Sequence, residues 1–124
     1  MADSSYLIEG ILRNATLLES ESFVSPDLAL YEVVHALWVH ETLMRDLKDA
    51  EERIELLSDL VSNEQIQLLR PDRKLLDETY RLSVKHGLQI YDCVYVALAL
   101  QLKLDLATFD GKQSTILSEE RRNR

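Results

Sequence analysis

One segment of the sequence, residues 91–103, is apolar on nearly every side of a helix: Tyr-Asp-Cys-Val-Tyr-Val-Ala-Leu-Ala-Leu-Gln-Leu-Lys. A helix of this composition is stable only where other elements cover it on most sides, so we expect it at the centre of the fold. Asp92 is the only acid in this segment. A first-turn carboxylate is favoured by the helix dipole, and this explanation stands beside a functional one.

Short strand candidates alternate with helical segments along the rest of the chain. The predicted strands are Phe23–Val24, residues 64–69 and residues 104–109. The predicted helices are residues 4–18, 26–39 (capped by Ser25), 41–62, 71–86, 91–103 and 112–120. This alternation predicts an α/β fold in which helices flank a parallel sheet. With three glycines and two prolines in 124 residues there is no flexible linker, and we expect one domain over residues 1–124.

The acidic balance limits the function classes that fit the chain. A net charge of −8 argues against binding nucleic acid through a broad basic surface. It does not exclude a metal-dependent nuclease, because four carboxylates gathered at one metal site would account for half of that charge. The sequence therefore disfavours a DNA-coating protein more than a nuclease.

The apolar runs, the N-terminus and the single cysteine indicate the cellular compartment and exclude some kinds of site. No apolar run reaches the roughly 20 residues of a membrane helix, and the N-terminus has no basic region typical of a signal peptide. We expect a cytoplasmic protein with no membrane contact. A single cysteine, Cys93, cannot form an internal disulfide or a thiolate cluster, and we interpret it as a buried apolar residue. None of the three histidines is assigned to a metal.

Four acids stand apart from the others, which lie mostly on solvated helix faces. Asp110 follows a predicted strand, where parallel sheets place their ligand sites, and Asp92 opens the apolar helix. Glu32 has the small residues Ala29 and Ala36 on its helix face, which leaves room for a ligand.

Each of these acids also has an ordinary structural explanation. Asp110 precedes Gly111 in a turn signal, Glu32 fits an exposed helix face, and Asp3 precedes a helix as an N-cap. Taken together, four carboxylates would suit a hard cation such as Mg²⁺, which prefers carboxylate oxygens.

Four motifs resemble segments of PIN domains, in the order and at the separations found in that family. They are Asp3-Ser-Ser-Tyr-Leu-Ile, the segment from Pro26 to Leu37 that contains Glu32, the segment Ile90-Tyr-Asp-Cys-Val-Tyr-Val-Ala-Leu-Ala, and Leu106-Ala-Thr-Phe-Asp110. The segment around Asp92 is the most specific of the four. The resemblance spans nearly the whole chain.

The resemblance implies a PIN-like three-layer α/β/α sandwich with a short parallel sheet and a Mg²⁺- or Mn²⁺-dependent endoribonuclease, often the toxin of a VapBC-type toxin–antitoxin pair. The implied metal ligands and catalytic residues are Asp3, Glu32, Asp92 and Asp110. Ser4 and Thr108 would hydrogen-bond to those ligands. The implied partners are an RNA substrate, a small antitoxin protein and a second copy of the chain, with the heptad-like helix 41–62 as a candidate contact face.

The chain departs from the PIN pattern at its start, because only Met1 and Ala2 precede Asp3. We expect a truncated first strand. Two alternatives to a nuclease stay open, and the short start and the charge of −8 favour the first of them. One is a non-catalytic PIN-like module that binds protein or RNA. The other is a purely helical scaffold in which the acids are caps and surface charges.

Overall fold

The computed structural model describes all residues 1–124, and four extended segments lie side by side at its centre. Strands β1 (Phe23–Pro26) and β2 (Ile66–Leu69) pair in parallel, with Phe23 opposite Ile66. Residues 1–3 lie against the other edge of β1, where the Ala2 amide donates to the Val24 carbonyl at 3.0 Å. The order is therefore β2, β1, residues 1–3 and residues 106–108.

The first extended segment pairs with its neighbour only briefly. Residues 1–3 contribute a single parallel bridge, between Ala2 and Ala107. The Asp3 amide donates to the Ala107 carbonyl at 3.1 Å, and the Ala107 amide donates to the Met1 carbonyl at 2.7 Å. The strand predicted at 104–109 shrinks to the same bridge, because a ladder cannot be longer than its shorter partner.

Helices pack on both sides of these segments. They are α1 (Ser4–Leu12), α2 (Thr16–Glu19), α3 (Leu28–Trp38), α4 (Ala50–Ser62), α5 (Arg73–His86), α6 (Ile90–Leu102) and α7 (Gly111–Arg122). One apolar cluster joins α1, α3 and α4 to the strands, and a second joins α5, α6 and α7. Met1 and Leu106 pack against both clusters. This arrangement confirms the three-layer α/β/α sandwich.

Helix α6 occupies the central position that its composition predicts. The buried side chains of α6 are Cys93 and the five residues from Tyr95 to Ala99. Cys93 is a free, buried thiol, as expected for an apolar packing residue. No helix in the protein combines the length and the apolar character that a membrane crossing requires.

The helix predicted over residues 4–18 is wrong, because the chain breaks between α1 and α2. A Cβ on Gly10 would lie 2.5 Å from Cγ of Leu18, so these two residues are in close contact. In a continuous helix they would be separated by about 12 Å along the axis. The break lets Leu18 fold back into the core, and only glycine at position 10 permits that approach.

Two further boundaries differ from the prediction. Ser25 does not cap a helix but lies buried in β1, where its hydroxyl donates to the Ala2 carbonyl at 2.8 Å. The helix predicted over 41–62 is two elements. A π-helical segment (Val39–Met44) continues α3, and the chain turns at Arg45, whose φ of 56° is left-handed, before α4 begins. The predicted heptad seam is therefore interrupted.

Candidate active site

Asp3 stands at the end of the truncated first strand and caps helix α1. Its side chain is 0% exposed. One carboxylate oxygen, Oδ1, accepts from the Tyr6 amide at 3.0 Å and from the Ser5 hydroxyl at 2.7 Å. The other oxygen, Oδ2, accepts from the Thr108 hydroxyl. The N-cap explanation is therefore correct for Asp3, but it accounts for only one of its three hydrogen bonds.

Thr108 links Asp3 to Asp110. The Thr108 hydroxyl donates to Asp3 and accepts from the Asp110 amide at 2.8 Å. Asp110 in turn caps α7, where its carboxylate accepts from the Lys112 amide at 2.9 Å. The parallel bridge at Ala107 thus brings the first and last predicted acids to the same edge of the sheet.

Glu32 is held from α1 and α6. Its Oε2 accepts from the Ser4 hydroxyl at 3.3 Å, and its Oε1 accepts from the Tyr95 hydroxyl at 2.5 Å. Ser4 is the residue after Asp3, so Glu32 lies next to the start of α1. Ser4 and Thr108 each donate a hydrogen bond to one of the predicted acids, Ser4 to Glu32 and Thr108 to Asp3.

Asp92 lies in the first turn of α6 and shares a groove with Glu32. The groove has a volume of about 660 Å³ and runs between α3 and the start of α6. The Asp92 side chain makes no hydrogen bond or ion pair within the chain. Asp3, Thr108, Asp110, Ser4 and Glu32 thus form one connected region, and Asp92 joins it through the groove.

None of the four acids has a cationic partner. No lysine, arginine or histidine lies within ion-pair distance of any of these carboxylates, although the chain contains twelve ion pairs elsewhere. Partial compensation comes from the backbone for three of them, because Asp3, Asp92 and Asp110 lie at the N-terminal ends of α1, α6 and α7. Such helix ends carry partial positive charge.

Burial raises the pKa of Asp3 above its usual value. The negative charge of Asp110 raises it further, while hydrogen bonds from Thr108, the Tyr6 amide and Ser5 oppose the shift. The pKa of the Tyr95 hydroxyl is also raised, first by burial and then by its hydrogen bond to the Glu32 carboxylate. Tyr95 therefore stays protonated and donates to Glu32. Both pKa values are raised in the direction expected for a buried region with excess negative charge.

The donor chemistry of this region fits a hard divalent cation. Its ligands would all be carboxylate oxygens, which Mg²⁺ and Mn²⁺ favour, and its negative charge lacks a protein cation. In the present side-chain arrangement, no three His, Cys, Asp or Glu side chains converge on one ion position. Asp3 and Glu32 instead direct their oxygens at hydroxyl donors. Ion binding would require some of those oxygens to turn.

Sequence reasoning missed two residues of this region. The Ser5 hydroxyl donates a hydrogen bond to Asp3 and accepts one from the Phe109 amide at 2.9 Å. These bonds connect the start of α1 to the last extended segment. Tyr95 holds Glu32. A signal for Tyr95 was present, because it lies three residues after Asp92 and therefore on the same face of α6.

Comparison with known proteins identifies the fold and the family of the chain. The family model of the PIN domain matches residues 3–116. Ribonuclease VapC3 from Pyrobaculum aerophilum is 34% identical over 84 residues, which is 68% of this chain and 63% of that protein. The chain therefore matches somewhat less than two thirds of that relative's length. The crystal structure of PAE2754 from the same organism superposes with a TM-score of 0.72 at 24% identity, over 93% of this chain and 76% of that one.

Proposed function

The chain belongs to the PIN-domain family, and we propose that it is a divalent-metal-dependent endoribonuclease of the VapC type. One observation carries the proposal. Four acids from distant parts of the sequence lie around one region, three of them at helix ends and Glu32 within α3, and none of them has a cationic partner. The 34% identity to a protein named ribonuclease VapC3 supports RNA as the substrate.

Asp3, Glu32, Asp92 and Asp110 would hold Mg²⁺ or Mn²⁺. When bound, such an ion lowers the pKa of a coordinated water and stabilises charge on a phosphate. The protein's own contribution is orientation. Ser5 and Thr108 hold the Asp3 carboxylate, and Ser4 and Tyr95 hold that of Glu32. The helix N-terminal ends favour an approaching phosphate.

The same proposal covers the assembly and location of the protein. Residues 1–124 form one PIN domain, which acts on RNA in the cytoplasm, pairs with a second copy and is inhibited by a small antitoxin protein. Leu43 and Met44, in the π-helical segment, support a protein contact there because they are 65% and 57% exposed. The test of this part is the oligomeric state of Leu43→Ser, which should become monomeric.

An RNA-cleavage assay tests the activity. We expect the purified protein to cut single-stranded RNA in Mg²⁺ or Mn²⁺ and to lose activity in EDTA. Asp92→Asn should reduce cleavage about a thousandfold, which corresponds to the several kcal/mol that a metal ion contributes. Asp59→Asn is the matched control, since Asp59 is an exposed acid on α4. Equal cleavage by Asp92→Asn and the wild type would contradict the proposal.

A second candidate function is a non-catalytic PIN-like module that binds protein or RNA. It is favoured by the single bridge of the first strand and by the absence of three converging ligands. Isothermal titration with Mn²⁺ separates the two. Binding that Asp3→Asn abolishes would support the nuclease, whereas no binding by a folded protein would select the module.

A further inference from the structure

Exposed aromatic side chains concentrate beside the acids of the candidate site. Tyr31, which directly precedes Glu32, is 76% exposed, and Tyr91, which directly precedes Asp92, is 59% exposed. Both tyrosines line the groove that contains those two carboxylates. Its volume, about 660 Å³, is in the range of about 300–1,000 Å³ typical of small-molecule sites. Two open aromatic rings thus flank the acids in one cavity.

The aromatic surface continues along one face of α3. Tyr31, His35 and Trp38 are spaced four and three residues apart, which places them in one row. The rings of His35 and Trp38 stack, with centroids 5.6 Å apart and planes inclined by 25°. The row spans about 10 Å along the helix. It is therefore longer than the rise of about 3.4 Å per nucleotide of a helical strand.

Charge alone gives this groove little attraction for a phosphate backbone. The side chains that line it include no lysine or arginine, and the net charge of the protein is −8. Stacking of bases on aromatic rings does not depend on net charge, and it requires bases that are not paired in a duplex. An aromatic groove beside the acids therefore suits unpaired nucleotides better than a double helix.

We propose that Tyr31 and Tyr91 stack on the bases next to the phosphate that is cut. This inference rests on the proposed nuclease function and names two residues that would hold its substrate. The two tyrosines bind the substrate, while the acids beside them carry out the chemistry. The His35–Trp38 stack continues the row of aromatic side chains along α3.

The test measures RNA affinity and cleavage for four variants. Tyr31→Ala and Tyr91→Ala should each raise the Kd and KM for a short single-stranded RNA about tenfold, with a much smaller change in kcat. Tyr31→Phe should stay within about twofold of the wild type, because it retains the stacking face. Tyr80→Ala is the control, since Tyr80 is 67% exposed on α5 and does not line the groove.

An RNA with abasic positions flanking the cleavage site makes the test specific for stacking. The wild type should bind this RNA about a hundredfold more weakly than the intact RNA, because both stacking interactions are lost, and Tyr31→Ala and Tyr91→Ala should then cause no further loss. A duplex of the same sequence should compete poorly. If the tyrosine variants weaken both RNAs equally, the rings do not stack on bases and the inference is wrong.

The outcomes separate this inference from the function on which it rests. If the wild type cuts RNA and both alanine variants match it, the stacking inference fails and the nuclease proposal stands. If the variants instead change the sedimentation of the protein with RNA affinity unaltered, the rings form a protein contact, and the inference is again overturned. If the wild type neither binds nor cuts RNA, both proposals fail.

Discussion

Two carboxylates are buried in this protein, and their surroundings are opposite. Asp3 is 0% exposed and Glu120 is 2% exposed. Asp3 is bonded only to hydroxyls and a backbone amide. Glu120, on α7, lies within ion-pair distance of four basic side chains: Arg81 (2.8 Å), Lys85 (2.7 Å), His86 (3.0 Å) and Arg124 (3.1 Å).

The pKa values move in opposite directions for physical reasons. Burial raises the pKa of both carboxyls. At Asp3 this effect dominates, because no basic side chain pairs with it and the like charge of Asp110 raises the pKa further. At Glu120 the hydrogen bonds from the basic side chains outweigh burial, and its pKa falls far below the usual value. Glu120 is neutralised by the protein itself, whereas Asp3 retains a charge that an external cation could neutralise.

This difference distinguishes a structural acid from a functional one. A buried carboxylate with its own cations stabilises the packing of α5 against α7. A buried carboxylate without basic partners lowers the stability of the fold unless a cation binds to it. A local loss of stability of this kind is typical of functional sites. Five predictions test the comparison, in order of decreasing effect.

The largest effect should be on activity when Asp3 is replaced. Asp3→Asn keeps an oxygen that can cap α1 but removes the charge, so we expect cleavage to fall about a thousandfold. The free energy of unfolding at pH 7 should fall by less than about 1 kcal/mol, or rise, since an uncompensated buried charge is removed. Urea denaturation and an RNA-cleavage assay measure the two quantities. A large loss of stability would mean that Asp3 is structural.

Glu120→Gln should show the reverse pattern. Removing one partner from a buried ion pair typically costs about 3–5 kcal/mol. We expect about 2 kcal/mol here, because Arg81, Lys85 and Arg124 remain nearly half exposed and can be hydrated by water. Cleavage per folded molecule should not change. Urea denaturation checks the first statement, and loss of activity in the folded variant would contradict the second.

Divalent cations should stabilise the wild type but not Asp3→Asn. A ligand at about 20 times its Kd adds about 1.8 kcal/mol to the stability of the state that binds it. We expect Mn²⁺ to raise the Tm of the wild type by several degrees and to raise that of Glu120→Gln equally. Differential scanning fluorimetry with and without Mn²⁺ measures the shift. A shift that survives in Asp3→Asn would place the ion elsewhere.

Tyr95→Phe should reduce cleavage about tenfold. It removes the donor that orients Glu32 and leaves a charged acceptor without one bond, a loss of about 1.5 kcal/mol. The effect should appear in kcat rather than KM, because Tyr95 lies beneath the groove and not in it. Tyr80→Phe on the surface of α5 is the matched control. An unchanged kcat in Tyr95→Phe would show that Glu32 needs no such positioning.

The smallest effect should be on the pH dependence of stability. A raised pKa means that Asp3 ionisation weakens folding as the pH rises above 3.8, its ordinary pKa. A lowered pKa means that Glu120 contributes stability above pH 4.5 and loses it as the pH falls below that value. The stability of Asp3→Asn relative to the wild type should therefore increase between pH 3.5 and 7, and the stability of the wild type relative to Glu120→Gln should increase as well. Urea denaturation at both pH values tests the two signs.

The sequence was sufficient for features that depend on local chemistry. The all-round apolar character of residues 91–103 predicted the central helix, and Gly87, with a φ of 66°, ended α5 where the sequence indicated. The order of strands and helices predicted the α/β class. The motif around Asp92 resembles the PIN family, and the match of the family model confirms that membership. These features could be predicted because burial periodicity and turn preferences act over a few residues.

Other features followed from contacts that no local pattern encodes. The approach of Leu18 to Gly10 broke the predicted first helix, and a left-handed turn at Arg45 divided the third. Ser25 resembled an N-cap in sequence but was taken into the strand, where its hydroxyl bonds to Ala2. In each case packing against a distant segment outweighed the local preference.

The sequence by itself determined which acids were candidates for the site. Only the tertiary structure decided which of the twenty-two acids are without cationic partners, since the sequence does not show which basic side chains fold against Asp3 or against Glu120. The neighbours of Asp3 are the hydroxyls of Ser5 and Thr108, whereas Glu120 gathers the basic side chains of α5. The physical reason is that the charge on a buried carboxylate is set by the groups within a few ångströms of it, and folding brings most of those groups from distant parts of the chain.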